Sequence, residues 1–283
     1  MSKQYDYIIV GAGSAGCVVA ERLSRDPSKT VLLLEAGGKN NSMLLSIPLA
    51  AAAVLTNKSF SWCYNTEPEK NLNNRSISWP RGKTLGGSSS INGMIYIRGQ
   101  RQDYDSWAAQ GNHGWSFDEL LPYFIRNENN NDRSGPYHGN SGAQWVGDIA
   151  HEFEMSDTFI EAAIDSGIPL NNDFNGPSQE GVGYFQAMIK NGRRQSSATD
   201  YLSLCKKRKN FILITKALTG KIIVDNGEAI GVQYQHRKQQ IIAYCNHEVV
   251  LCGGAINSPQ LLELSGIGDS TRLKKIGIDL NHH

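Results

Sequence analysis

The segment from Tyr5 to Gly38 constrains the fold more than any other part of the chain. It opens with the run YDYIIV, which is typical of a central parallel strand buried on both faces. The turn GAGSAG follows directly, then an apolar helical pattern from Ser14 to about Ser24, and then the strand-like run TVLLLE. Strand, glycine-rich turn, helix and strand in this order predict a βαβ unit with two parallel strands.

Three glycines in this turn, Gly11, Gly13 and Gly16, form the pattern GxGxxG. In such a turn the first glycine permits the tight bend, the second lets a pyrophosphate approach the backbone, and the third lets the helix pack close to the strand. The helix N-terminus at Ser14 and Ala15 offers free N–H groups and a positive dipole end to a phosphate. A tight βα turn without a ligand is the alternative for the glycines alone.

An acidic residue completes the pattern. Glu35 stands at the end of the second strand, 35 − 16 = 19 residues after Gly16. A carboxylate at about this spacing accepts hydrogen bonds from the ribose hydroxyls of an adenosine, and Ala36 follows in the same turn. Because a carboxylate repels a 2′-phosphate, Glu35 disfavours NADP, but the unit does not distinguish FAD from NAD.

A second glycine-rich stretch, Leu85 to Asn92, reads LGGSSSIN. Gly86 and Gly87 would bring backbone N–H groups close to a ligand, and the serines supply short donors and acceptors, which suits a pyrophosphate and the polar edge of a ring system. A flexible linker is the alternative. The apolar run INGMIYIRG that follows favours ordered packing instead.

A third glycine turn follows a β-branched strand in EVVLCGGAINSPQ. Here we expect a helix capped by Ser258, with Pro259 at its first position and Gly266 just past its end. The runs NFILIT, GKIIVD, AIGVQYQ, QIIAYC and EVVLC predict a β-meander, with a type I′ hairpin at Asn226-Gly227. We expect a surface loop at Asn127 to Gly147 and a lid or substrate-side segment at Asn171 to Gly183.

Composition excludes several classes of protein. The formal net charge of +1, from 28 basic and 27 acidic residues, gives no reason to expect a nucleic-acid partner. The five cysteines have no metal-ligand spacing, which favours reduced thiols and no metal site. No apolar run is long enough for a bilayer span, and MSKQYDYIIVG lacks the features of a secretory signal. We therefore expect a cytoplasmic protein.

Two long motifs resemble those of the glucose–methanol–choline (GMC) oxidoreductases, FAD-dependent enzymes that oxidise alcohols. They are GKTLGGSSSINGMIYIRGQRQDYD, at Gly82–Asp105, and GAINSPQLLELSGIG, at Gly254–Gly268. The shorter runs SWCYNTEP, DYDSWAAQG and GWSFDELLPYF agree with them. The resemblance covers essentially the whole chain and is closest to the bacterial choline-dehydrogenase-like members.

This resemblance implies a site for FAD. Ile91 stands where some members carry a histidine that binds the flavin covalently, so we expect non-covalent FAD. The implied cofactor-binding residues are Gly11, Gly13, Ser14, Ala15, Gly16, Glu35, Ala36, Leu85, Gly86, Gly87, Ser88, Ser90, Asn92, Gly93, Met94, Ala217, Leu218, Gly253 and Gly254.

The expected fold class is α/β, an FAD-binding Rossmann-like doubly wound parallel sheet with a β-meander and part of a substrate domain. We expect residues 1–135 and 196–283 to form a discontinuous FAD-binding domain, with a partial substrate-side insertion at residues 136–195. In the family, the substrate and catalytic half follows residue 283.

The implied function is an FAD-dependent oxidoreductase that acts on the CH–OH group of a small alcohol, in the manner of choline dehydrogenase, with hydride transfer to flavin N5. The family's catalytic histidine, with its His or Asn partner, would lie beyond residue 283, so no catalytic residue is named. The alternative is a non-catalytic FAD-binding fragment, or one half of a split enzyme completed by a second chain. An NAD-dependent dehydrogenase is disfavoured, because nothing in the GGSSS loop fits a nicotinamide.

Overall fold

The computed structural model describes residues 3–283. Its strands are β1 (Lys3–Val10), β2 (Val31–Glu35), β3 (Tyr64–Asn65), β4 (Ser78–Trp79), β5 (Ile95–Tyr96), β6 (Glu128–Asn130), β7 (Gln144–Val146), β8 (Gln186–Ala187), β9 (Ile189–Lys190), β10 (Arg193–Arg194), β11 (Phe211–Thr215), β12 (Ala217–Asp225), β13 (Glu228–His236) and β14 (Gln239–Leu251). Its helices are α1 (Ser14–Leu23), α2 (Met43–Ser46), α3 (Ala51–Leu55), α4 (Arg101–Ala109), α5 (Phe117–Asn127), α6 (Glu154–Asp165), α7 (Ser203–Cys205), α8 (Gly254–Leu264) and α9 (Ser270–Lys275). Short 3₁₀ turns lie at Pro48–Ala50, Lys70–Leu72 and Gly87–Ser90, and a π-helical turn lies at Ala198–Leu202.

The chain forms two compact units. The first contains the described residues up to Asn92 together with Ser196–His283, and the second contains Gly93–Gln195. The second unit therefore begins well before residue 136, the boundary expected from the sequence. The reason is a pairing between distant segments, because β5 pairs with β8 inside the second unit.

The first unit is built on a six-stranded sheet in the order β11-β2-β1-β14-β13-β12. The pairs β11–β2, β2–β1 and β1–β14 are parallel, with Val10 opposite both Leu34 and Leu251. Ile8, Ile9, Leu32 and Leu33 are fully buried. This agrees with the β-branched run at the start of the sequence and confirms the α/β fold with a parallel sheet.

Strands β12, β13 and β14 form the antiparallel meander. Asn226 and Gly227 both have positive φ, 47° and 83°, as a type I′ turn requires, and the predicted hairpin is confirmed. Two details of the prediction were wrong. QIIAYC and EVVLC lie in the single strand β14, which pairs first with β13 and then with β1. NFILIT, as β11, pairs with β2 at the opposite edge of the sheet.

Two helices follow the neighbouring parallel strands β1 and β14. Helix α1 begins at Ser14, as predicted. Helix α8 begins at Gly254 rather than at Pro259, which lies inside it, because the positive φ of Gly254 (87°) already turns the chain out of the strand. Gly266, just past the end of α8, has a φ of 76°, which confirms the predicted glycine at that end.

The second unit consists of two-residue and three-residue strand pairs with helices α4, α5 and α6. The surface loop predicted at Asn127–Gly147 was wrong. This stretch contains the parallel pair β6–β7, and Glu128 and Asn130 are buried. The prediction took polar residues as a sign of exposure to solvent. Here the polar side chains hydrogen-bond to one another inside the protein.

Candidate functional site

A cavity of about 770 Å³ opens at the carboxyl ends of β1, β2 and β14 in the first unit. The sheet order reverses here, since β2 lies on one side of β1 and β14 on the other. Ligands of open α/β sheets bind at such a switch point. Twelve of the sequence-predicted residues line it: Gly11, Gly13, Ser14, Ala15, Glu35, Ala36, Gly87, Ser88, Ala217, Leu218, Gly253 and Gly254.

Gly11 and Gly16 are required by the fold itself. Gly11 has a φ of 101°, and a Cβ there would lie 2.4 Å from the carbonyl oxygen of Cys252. A Cβ on Gly16 would lie 1.9 Å from the carbonyl oxygen of Gly11. Both positions therefore hold α1 against the ends of β1 and β14, and Gly16 does so without lining the cavity.

Gly13 is different, because the protein leaves room for a side chain there. Its φ is −80°, which any residue adopts, and the nearest atom to an added Cβ is the Cα of Gly87 at 3.9 Å. The fold does not need a glycine at this position. A ligand that fills the cavity and approaches the backbone at the start of α1 would require a glycine at this position.

Glu35 is buried at the cavity floor, with 6% of its surface exposed. Its Oε2 accepts a hydrogen bond from Ala12 N at 2.9 Å, and its Oε1 accepts one from Gly37 N at 2.7 Å. Burial raises the pKa of Glu35 to about 6, although both backbone donors work against the shift. The two donors thus fix the orientation of the carboxylate, and each oxygen keeps further capacity to accept a hydrogen bond at the cavity that Glu35 lines.

The second glycine loop packs directly on the first. Gly86 N donates to Ala12 O at 2.7 Å, and a Cβ on Gly87 would lie 2.7 Å from Gly13 Cα. Gly82 in turn lies so close to Gly87 that its Cβ would be 2.1 Å from that residue's carbonyl carbon. Two segments about seventy residues apart in sequence therefore form one wall made of bare backbone.

Serine hydroxyls of this loop bond within the first unit. Ser90 Oγ donates to Leu85 O at 2.7 Å, and Ser89 Oγ donates to Gly86 O at 2.6 Å. Ser88 Oγ accepts from Gly82 N at 3.1 Å, while Ser88 itself lines the cavity. In the structure the hydroxyls of Ser89 and Ser90 thus shape the loop, and backbone groups face the cavity.

The remaining predicted residues lie outside the cavity lining. Leu85, Gly86 and Ser90 belong to the supporting layer of the second glycine loop. Asn92 is the last residue of the first unit, and its N–H donates to Ser88 O at 2.9 Å. Gly93 and Met94 belong to the second unit.

The N-terminus of α8 lies at the same cavity, because α8 follows the strand next to β1. Gly253, Gly254 and Ala255 line the cavity at this end. Each helix N-terminus carries roughly half a positive charge, so the starts of α1 and α8 together offer about one unit to an anion. The charged side chains of the lining are Glu35 and Arg81.

Sequence reasoning on single motifs missed several lining residues: Trp62, Arg81, Gly82, Thr219, Cys252, Ile256, Asn257 and Leu264. One residue of this set, Asn257, is held in place by Tyr64. The Tyr64 hydroxyl donates to Asn257 Oδ1 at 2.6 Å and fixes that amide at the start of α8. The sequence signals for three of these residues are the family-like runs SWCYNTEP, which contains Trp62, and GAINSPQ, which contains Ile256 and Asn257.

The lining fits a dinucleotide. The space left at Gly13 admits a pyrophosphate, two helix N-termini supply positive potential, and Glu35 offers ribose acceptors. Among residues 3–283 no cluster of His, Cys, Asp and Glu could hold a metal ion. Within the same residues, no helix is long and apolar enough to cross a bilayer.

Comparison with known proteins agrees with this geometry. The sequence profile of the GMC oxidoreductases matches residues 5–283. The chain belongs to the GMC oxidoreductase family. It is 46% identical to an alcohol dehydrogenase [acceptor] of Pseudomonas putida over 282 residues, which are 98% of this chain and 51% of that protein. It is 42% identical to an oxygen-dependent choline dehydrogenase of Vibrio vulnificus, covering 100% of this chain and 51% of that protein.

Solved structures of the family share the fold. Pyridoxine 4-oxidase from Mesorbium loti superposes with a TM-score of 0.94 at 32% identity, over 98% of this chain and 55% of that one. Formate oxidase superposes with a TM-score of 0.90 at 28% identity, over 99% and 50%. This GMC oxidoreductase chain thus spans about half the length of the curated relatives that it matches.

Proposed function

We propose that the chain binds FAD non-covalently in the cavity of the first unit, as the cofactor-binding part of an oxidoreductase that acts on the CH–OH group of a small alcohol. The observation that carries the proposal is the open space beside Gly13, where an added Cβ would lie 3.9 Å from the nearest protein atom, so that the fold does not require a glycine there. FAD binding and alcohol oxidation are also consistent with membership of the family.

The residues proposed to hold FAD are grouped by the part of the cofactor that they would contact. Gly13, Ser14 and Ala15 would donate backbone N–H groups to the pyrophosphate, and Glu35 would accept from the adenosine ribose. Ala217 and Leu218, with Gly253 and Gly254, would lie beside the adenosine. The second glycine loop would run along the pyrophosphate and flavin, with Asn92 proposed near the ring.

Bound FAD would supply a hydride acceptor, which in this proposal is flavin N5. Oxidation of an alcohol also requires a base for the hydroxyl proton. Among the described residues that line the cavity there is no histidine. The proposed base therefore comes from outside this lining, in keeping with the half-length match to the relatives.

The absorption spectrum of the purified chain tests the proposal. The protein is mixed with FAD, passed through a desalting column and scanned in the visible range. Flavin bands that remain with the protein are expected, and denaturation should then release free FAD, since no covalent bond is proposed. A colourless protein after desalting would contradict the proposed site.

A second candidate is a flavin-binding part without turnover of its own. The half-length match and the absence of a histidine from the described cavity lining favour it. Anaerobic addition of small alcohols to the FAD-loaded chain separates the two candidates. Bleaching of the flavin bands indicates an alcohol oxidoreductase, whereas stable bands with every alcohol indicate a flavin-binding part without turnover of its own.

Glu35 gives a pH-dependent prediction. In the flavin-free chain its pKa is about 6, against an ordinary value of 4.5, so the folded state binds the proton more tightly and stability falls as the pH rises between these values. For FAD the direction is opposite, because the carboxylate is a stronger acceptor than the acid. We expect FAD affinity to rise about tenfold from pH 5 to pH 7.

The variant Glu35→Gln should remove most of this dependence, measured by quenching of FAD fluorescence at each pH. It keeps one carbonyl acceptor but does not titrate. An unchanged pH profile in the variant would show that a different group controls the affinity.

A further inference from the structure

A group of charged side chains surrounds the buried ring of His138 in the second unit. His138 Nδ1 lies 2.9 Å from Glu128 Oε1, and its Nε2 lies 2.8 Å from Asp173 Oδ2. The side chain of His138 is 2% exposed and that of Glu128 is 0% exposed. Both ring nitrogens therefore face a carboxylate oxygen at hydrogen-bond distance; Glu128 is shielded from water, whereas the side chain of Asp173 is 31% exposed.

The number of N–H groups on an imidazole limits the protonation states that fit these two contacts. A neutral imidazole carries one N–H, so one nitrogen would direct its lone pair at a carboxylate oxygen. An imidazolium carries two N–H groups and donates to both partners. From this geometry we infer that His138 is held as an imidazolium and acts as a proton-dependent clamp, which fastens the segment 171–176 to strand β6.

The buried carboxylate of Glu128 favours the protonated ring. Glu128 faces His138 and Arg98, with the titratable phenol of Tyr96 beside it, and Asp173 faces His138 and Arg133. Asp148, at 56% exposed, faces Arg133 and not the ring. Loss of the ring proton would leave an imidazole lone pair directed at a carboxylate oxygen where the ring is 2% exposed, which is unfavourable.

The clamp joins segments that are distant in sequence. Arg98 Nη2 bonds Glu128 Oε2 at 2.6 Å, and Arg98 N donates to Asn175 Oδ1 at 2.7 Å. Asn130 Nδ2 donates to both Glu128 Oε1 and Gln186 Oε1. The bond between His138 and Asp173 is one of the ties of the segment 171–176, beside those from Arg133 to Asp173 and from Arg98 to Asn175, so its loss would loosen the segment without releasing it.

The direction of the pH effect follows from the same contacts. The hydrogen bond to Glu128 raises the pKa of His138 above its ordinary 6.5, and that to Asp173 acts in the same direction, while burial opposes both. In the unfolded chain the histidine has its ordinary pKa. The stabilisation is therefore complete below that value and is lost as the pH rises through the higher pKa of the folded state.

Two measurements on the full chain test the clamp. Nitrogen-15 NMR of the histidine rings should show both nitrogens of His138 protonated at pH 7. Hydrogen exchange of residues 171–176, corrected for intrinsic rates, should become faster as the pH rises through the His138 titration. A neutral His138 at pH 7, or exchange that ignores its titration, would overturn the inference.

Matched variants separate the clamp from general packing. His138→Gln should speed exchange of residues 171–176 roughly tenfold at pH 7 and flatten its pH dependence. His151→Gln, at an exposed histidine of the same unit, should change neither.

Asp173→Asn covers the case in which His138→Gln does not fold. The amide has a single oxygen and no negative charge, so it stabilises the imidazolium less and the midpoint of the pH-dependent exchange should move to lower pH. An unmoved midpoint would contradict the clamp.

Discussion

Gly13→Val is expected to leave the chain folded and to weaken FAD binding at least about a hundredfold, which corresponds to roughly 2.7 kcal/mol. The added side chain meets little protein, since an ideal Cβ lies 3.9 Å from Gly87 Cα and the φ of −80° suits valine. It instead occupies the space at the start of α1 through which a pyrophosphate would reach the backbone N–H groups. Because Gly13 is the N-cap residue of α1, valine should cost only about 1 kcal/mol of stability.

Titration of FAD fluorescence against the protein gives the affinity, and thermal unfolding without FAD gives the stability. Gly38→Val is the matched control, because an added Cβ there meets nothing within 4 Å and Gly38 is outside the cavity lining. The control should bind FAD as well as the parent chain. Full binding by Gly13→Val would mean that the dinucleotide site is elsewhere.

Gly16→Ala should produce the opposite result, a loss of stability of about 3 kcal/mol or more in the absence of any ligand. Its Cβ would lie 1.9 Å from Gly11 O and 3.2 Å from Cys252 Cβ. To remove this overlap the Gly11 backbone would have to move, and the junction of β1, α1 and β14 would move with it. Helix propensity alone predicts the reverse, since alanine stabilises a helix interior by about 1 kcal/mol relative to glycine.

Urea unfolding measures this effect, with Gly220→Ala as the control. Gly220 lies in β12 with nothing within 4 Å of an added Cβ, so alanine there should be neutral or slightly stabilising. A midpoint for Gly16→Ala equal to that of the parent would show that α1 does not pack against β1 and β14 as described. Together the two glycine variants distinguish a residue kept for a ligand from a residue kept for the fold.

The sequence predicted the first βαβ unit nearly to the residue. Strand β1, helix α1 and strand β2 lie where the pattern indicated, and Glu35 ends β2. The hairpin at Asn226-Gly227 was predicted equally well. These features depend on residues close in sequence, because turn geometry and hydrophobic period are local properties.

Errors of prediction concerned contacts between distant segments. The edge position of β11, the continuity of β14 and the early start of the second unit depend on which strands pair. The sequence predicts a surface loop where Glu128 and His138 are buried, because their partners are distant: Arg98 lies 30 residues from Glu128, and Asp173 lies 35 residues from His138.

By itself, then, the sequence determined the glycine turns, the carboxylate that follows β2 and the class of fold. The tertiary structure decided that Gly87 lies against Gly13, that the N-termini of α1 and α8 meet at one cavity, and that His138 lies between two carboxylates. The physical reason is that a local pattern specifies an element and its buried face. Only the order of strands in the sheet, and the packing that follows from it, specifies which distant residues share a site.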